Sequence, residues 1–133
     1  MRRLFSPPLV ALLAAGAALF GTGVLVGQRR VAGQKTLIHT IAFKQMDGTT
    51  PEQLKEAWAA TLKMAGEVPG IRNVWMGRVT NQTMNEATHG IVLEFESADA
   101  LAKYAPHPAH REWEKIYFKV RTPGSNTIDV LGE

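Results

Sequence analysis

The chain has 133 residues and no cysteine, with fifteen basic against twelve acidic side chains, formally +3. Without cysteine, disulfides and thiolate chemistry are both excluded. The basic excess resides in Arg2, Arg3, Arg29 and Arg30. The rest carries eleven bases against twelve acids and gives no support to nucleic-acid binding.

Met1-Arg2-Arg3 leads into an uncharged run from Leu4 to Gln28, closed by Arg29-Arg30. A basic end ahead of an apolar core is the layout of an export signal. The run also reaches the roughly 20 apolar residues that span a bilayer. Val31-Ala32-Gly33 offers small residues for processing, but Arg29 and Arg30 stand between it and the apolar core and resist translocation. Residues 1–34 are therefore read as an N-terminal hydrophobic helix, a signal or membrane anchor touching the membrane through residues 4–28. Residues 35–133 form one small domain with one core, placed outside the cytoplasm in the cell envelope.

Within the domain, Leu37-Ile38-His39-Thr40-Ile41-Ala42-Phe43 alternates with the period of a strand, with Leu37, His39, Ile41 and Phe43 on one face. Thr50-Pro51-Glu52-Gln53 is a helix start, with a capping threonine, proline at the first position and glutamine three residues after the cap. Leu54, Trp58 and Leu62, with Ala57, Thr61 and Ala65 beside them, predict one apolar stripe on the helix that follows. Trp58 is accordingly assigned to the core. Val68-Pro69-Gly70 ends that helix. Ile71–Val79 and Thr88–Glu96 are the next strands, joined by a polar loop. Ser97 caps a further helix through Leu101.

That helix runs into Tyr104-Ala105-Pro106-His107-Pro108-Ala109-His110, a phenol, two imidazoles and two prolines in seven residues. Pro106 and Pro108 remove two backbone donors and push the residues before them toward extended conformations. The helix is predicted to stop here and another to start near Pro108, running from Ala109 to Phe118 with Trp113 and Tyr117 four apart. Thr122-Pro123-Gly124-Ser125 breaks it, and Thr127–Leu131 is the last strand. The order βαββαβ is an α+β split plait with helices on one face of an antiparallel sheet. The other sheet face needs cover, which a second copy supplies.

The strand Ile38–Lys44, the turn Val68-Pro69-Gly70-Ile71, the strand Thr88–Ser97 and the segment Tyr104–His110, above all His-Pro-Ala-His at 107–110, resemble the stress-responsive A/B barrel domain family. The resemblance spans the chain after about Leu37. It implies a ferredoxin-like βαββαβ plait paired as a homodimer, a dimeric α/β barrel. A plant member of that family closes a polyketide ring by aldol condensation with no metal or organic cofactor. Its catalytic tyrosine and histidine fall on Tyr104 and His110 here, and histidines that line or border its pocket fall on His39 and His89. Trp75, on the second strand, joins His39 and His89 as a candidate ligand contact.

The chemistry of such a pair follows from the side chains. An imidazole is unprotonated near neutral pH and removes a proton α to a carbonyl. A phenol donates a hydrogen bond to the oxygen that gains negative charge. A metal site at His107 and His110 is disfavoured: Pro108 disturbs their turn, no acid lies between them, and zinc usually takes three or four ligands. Two readings stand side by side. One is a homodimeric barrel that binds a small apolar or carbonyl-containing ligand. The other is a cofactor-independent cyclase or lyase that uses the pair for acid–base chemistry. A cavity reaching His110 separates the enzyme reading from the binding or structural one.

Overall fold

The computed structural model describes residues 35–81 and 86–132. The elements in chain order are β1 (Leu37–Phe43), α1 (Pro51–Glu67), β2 (Ile71–Arg78), β3 (His89–Phe95), α2 (Ala98–Tyr104), α3 (Pro108–Tyr117) and β4 (Asn126–Leu131). The strands form one antiparallel sheet in the order β2-β3-β1-β4. This is the expected ferredoxin-like α+β plait, with its second helix broken into α2 and α3. The hydrophobic helix expected over residues 1–34 lies outside the described residues. Among the described residues, no helix is long and apolar enough to cross a membrane.

Alternation in β1 and β3 decides which face meets the helices. Leu37, His39, Ile41 and Phe43 are buried on β1, as are His89, Ile91, Leu93 and Phe95 on β3. Each fully buried large side chain in this layer stabilises the fold by about 1.5–3 kcal/mol relative to its exposed state. The α1 start carries the full capping box: Thr50 Oγ1 accepts from Gln53 N at 3.2 Å and Gln53 Oε1 from Thr50 N at 2.8 Å. The apolar stripe of α1 is centred differently from the pattern read in the sequence. Ala57, Thr61 and Met64 are buried, followed by Val68, while Leu62 is 56% exposed. Trp58 is partly buried against the core, its ring 6.3 Å from Phe43. The rotation has a physical reason. Ala57 and Thr61 are small, and the Thr61 hydroxyl accepts the indole N–H of Trp113 from α3 at 2.9 Å.

Gly70 turns the chain from α1 into β2 with φ at +87°, and a Cβ there would lie 2.5 Å from the Ala100 Cβ of α2. Only glycine meets both conditions. Just beyond, the β2–β3 register shifts between Ile71 and Asn73, leaving Arg72 and Asn73 both exposed. This bulge resets the alternation of β2, so Val74 and Met76 pack on the core while Trp75 points to the other face.

Among the described residues, no helix covers that other face. Trp75 pairs with Val92, Val92 with Thr40 and Thr40 with Ile128, forming one row across all four strands. The next row runs Asn73, Glu94, Ile38 and Val130. Trp75, Ile128 and Val130 are 52%, 45% and 56% exposed, an apolar surface on the side away from the helices.

Candidate functional site

The break between α2 and α3 is forced locally. Tyr104 ends α2, Ala105 keeps helical backbone angles, and His107 swings out to φ −66°, ψ 138° before Pro108 opens α3 at its first position. His107 is the cap of the new helix. Its Nδ1 accepts the Ala109 N–H at 3.2 Å, and its carbonyl accepts those of His110 and Arg111 at 3.1 and 3.3 Å. Its imidazole is thus engaged in holding the turn. His110 follows in the first turn of α3 and faces inward.

Tyr104 and His110 meet with ring centroids 4.3 Å apart at 69°. His39 reaches the same place from β1, its ring 5.5 Å from that of Tyr104. The β1–β4 register sets Asp129 directly opposite His39, and His39 Nδ1 lies 2.6 Å from Asp129 Oδ1. A carboxylate only accepts, so Nδ1 carries the proton. These residues line a cavity of about 330 Å³ that continues past Trp113, Glu114 and Tyr117 to Arg121, Ser125 and Thr127.

Burial governs the electrostatics. It pushes the Tyr104 phenol well above its usual range, with Glu114 and Tyr117 adding to the effect. Tyr104 therefore remains a hydrogen-bond donor. Burial also lowers His110 below its ordinary 6.5. Glu114 and a hydrogen bond to the Ala105 backbone pull the other way, and His39 adds to the lowering. His110 is thus largely the neutral base at pH 7. Its Nδ1 is 3.9 Å from Glu114 Oε2. Both the Tyr104 hydroxyl and His110 Nδ1 are buried without a hydrogen-bond partner among the described residues.

The remaining candidates sit elsewhere. His89 occupies the far end of the same sheet face, paired with Phe43 and stacked on its ring at 5.8 Å, with Nδ1 3.0 Å from Thr88 Oγ1. It lines a separate, open hollow with Lys44, Gln45 and Arg78. Burial first, then the Arg78 charge, lowers its pKa. Trp75 lies on the opposite face of the sheet and does not line the Tyr104–His110 cavity. Among the described residues, no three His, Asp or Glu side chains gather where they would hold a metal. Asp129, Glu114 and Arg121 belong to the site and were not singled out from the sequence. Asp129 is detectable only through its register opposite His39, which requires knowing that the last strand pairs with the first.

Comparison with known proteins follows this geometry. Olivetolic acid cyclase of Cannabis sativa is 30% identical over 81 residues, covering 59% of this chain and 80% of the cyclase. A stress-response A/B barrel domain-containing protein of Arabidopsis thaliana, HS1, is 27% identical over 81 residues, covering 59% of this chain and 74% of its own. Among solved structures, a dimeric ferredoxin-like protein of unknown function from Thermobifida fusca superposes with a TM-score of 0.62 at 19% identity. It covers 77% of this chain and 96% of that one. The stress responsive A/B barrel domain profile matches residues 37–122, a span that takes in β1, the broken helix and both members of the Tyr104–His110 pair, and the chain belongs to that family.

Proposed function

We propose that the domain is a cofactor-free acid–base catalyst for a small carbonyl compound, working as a homodimer. One observation carries the reading. A phenol held protonated and an imidazole held neutral touch each other in a ligand-sized cavity, and neither Tyr104 Oη nor His110 Nδ1 has a hydrogen-bond partner among the described residues. Each unsatisfied buried group costs about 1–3 kcal/mol. A carbonyl ligand with an acidic α-hydrogen satisfies both at once.

In the step this supports, His110 takes the α-proton as the C–H bond breaks, and the electron pair moves into the C–C bond of the enolate. The carbonyl oxygen becomes the oxyanion, and Tyr104 donates its O–H to it. The imidazolium then returns its proton to carbon or oxygen of the product. His39, oriented by Asp129, brings a second imidazole beside Tyr104. The likeness to olivetolic acid cyclase supports the same kind of reading for this chain.

The dimer is proposed through the uncovered sheet face bearing Trp75, Ile128 and Val130, supported by the dimeric ferredoxin-like neighbour. Residues 4–28 are proposed to hold the domain at the membrane, outside the cytoplasm. The support is their uncharged run between arginine pairs, and fractionation of the full chain into a wholly cytosolic, soluble product refutes it.

The direct test of the chemistry needs no knowledge of the physiological substrate. Deuterium uptake into the methyl group of an aryl methyl ketone in D₂O, followed by proton NMR, reports α-proton removal. His110→Ala is expected to lose about 10²- to 10⁴-fold of the catalysed exchange, and Tyr104→Phe less, because the ring remains. Full exchange in a folded His110→Ala protein rejects the mechanism.

A further inference from the structure

The cavity extends well past the acid–base pair. From His110 to Tyr117 along α3, the helical rise amounts to about 10 Å, and the cavity wall continues from there to Arg121. At that far end the guanidinium carbon of Arg121 lies 4.5 Å from the Phe118 ring centroid and 5.3 Å from that of Tyr117. Among the described residues its Nε is buried with no hydrogen-bond partner, and a terminal nitrogen donates to the Thr122 carbonyl, at 3.4 Å. No carboxylate among the described residues forms an ion pair with it. The two acids of the cavity wall are directed elsewhere. Asp129 accepts from His39 at 2.6 Å, and Glu114 faces His110 at 3.9 Å.

A guanidinium is always charged and carries five N–H donors in a planar fork that matches a carboxylate. Here it is flanked by aromatic rings, has a buried donor left over and opens on a cavity. We propose that Arg121 is the anion-binding end of this cavity, and that the ligand is a carbonyl compound bearing a carboxylate about 10 Å from its reacting carbon. An extended chain advances roughly 3.5 Å per three bonds, so the two groups are separated by about eight or nine bonds, or by a flat ring and a short chain of the same reach. The aromatic flanks suit a flat spacer. The proposal rests on the acid–base reading only for the position of the reacting end.

The probe pair is 3-(4-acetylphenyl)propanoate and its neutral amide, 3-(4-acetylphenyl)propanamide, titrated calorimetrically into the full chain. The wild type is expected to bind the acid about 10- to 100-fold more tightly than the amide, the worth of a charge-assisted hydrogen-bonded pair. Arg121→Gln is expected to abolish that preference while leaving amide affinity nearly unchanged. Should Arg121→Gln lose the amide as well, Arg121→Lys decides, since it keeps the charge and is expected to keep a preference for the acid. Equal binding of acid and amide by the wild type, no measurable binding of the acid at millimolar concentration, or a full preference in Arg121→Gln overturns the proposal. So does loss of preference in an Arg121→Lys protein that still binds the amide. His110→Ala separates the two readings: it keeps the acid preference while losing α-proton exchange. If exchange survives in that variant, the acid–base reading falls and the Arg121 anchor stands.

Discussion

Replacing Thr61 with valine removes one oxygen and almost no volume, from a position fully buried between α1 and α3. The Thr61 hydroxyl accepts the Trp113 indole N–H at 2.9 Å and donates to the Ala57 carbonyl at 2.8 Å. The Ala57 carbonyl remains part of the helix after the change. The indole N–H, on a residue only 4% exposed, is left without an acceptor. A buried donor stranded in this way costs about 1–3 kcal/mol. For a domain of about 100 residues, each kcal/mol moves Tm by roughly 4–8 °C, so a fall of about 4–24 °C is expected. Urea and thermal unfolding of the full chain measure it, at fixed protein concentration because a dimer's stability depends on concentration. The decisive control is Trp113→Phe, which has no N–H to strand. In that background Thr61→Val should cost much less, with a coupling energy well above the ~0.5 kcal/mol seen for independent sites. Equal costs in both backgrounds refute the reasoning. The contact matters to the site because Trp113 stacks on Tyr117 at 4.6 Å and lies 5.2 Å from His110.

His110 is held below 6.5 chiefly by burial, so the catalysed α-proton exchange should fall on acidification with a midpoint below pH 6.5; a midpoint above it contradicts the burial argument. His89 and His110 are both depressed relative to the unfolded chain. The unfolded state therefore binds more protons below about pH 6.5. The stability these two residues confer is complete above that pH and is lost as pH falls through their folded-state values, which Tm between pH 7 and 5 records. His107→Ala should lose about 0.5–2 kcal/mol of capping in urea unfolding and leave α-proton exchange nearly unchanged in the folded protein. Trp75→Asp should yield a monomeric or unstable chain in sedimentation, and a wild type that is a stable monomer at micromolar concentration defeats the sheet-face dimer.

Features governed by short-range stereochemistry were legible in the residues themselves. Proline at 106 and 108 dictates the break, and Thr50 with Gln53 dictates the α1 start. The capping box appears as expected and His107 before Pro108 turns extended, whereas Ala105 before Pro106 keeps helical angles. The strand alternation of β1 also grouped His39 with Leu37, Ile41 and Phe43, the face that is buried. What escaped depends on register or on partner geometry. The extra residue near Arg72 resets the face of every later β2 side chain, which settles where Trp75 points. The buried stripe of α1 turns on a hydroxyl that Trp113 needs from fifty-two residues away. His39 and His89 share a sheet face but sit at opposite ends of it, because the β1–β3 pairing is antiparallel with Phe43 opposite His89. Asp129 and Arg121 read in isolation as solvated charges. Only the placement of β4 beside β1, and of the α3 end over it, brings them to the cavity.

The bond between His39 and Asp129 joins residues ninety positions apart, on a central strand and its edge neighbour. Closing so long a loop must be compensated before the contact contributes, so pairing of β4 is expected at a late stage of folding. Local contacts such as α1 capping and the α2–α3 turn can form earlier without creating a competent site. A chain trapped before β4 docks would lack both the carboxylate that orients His39 and the strand that walls the cavity, and would be unable to carry out the proposed chemistry. The proposed activity would therefore report completion of the sheet rather than the presence of the Tyr104–His110 segment alone.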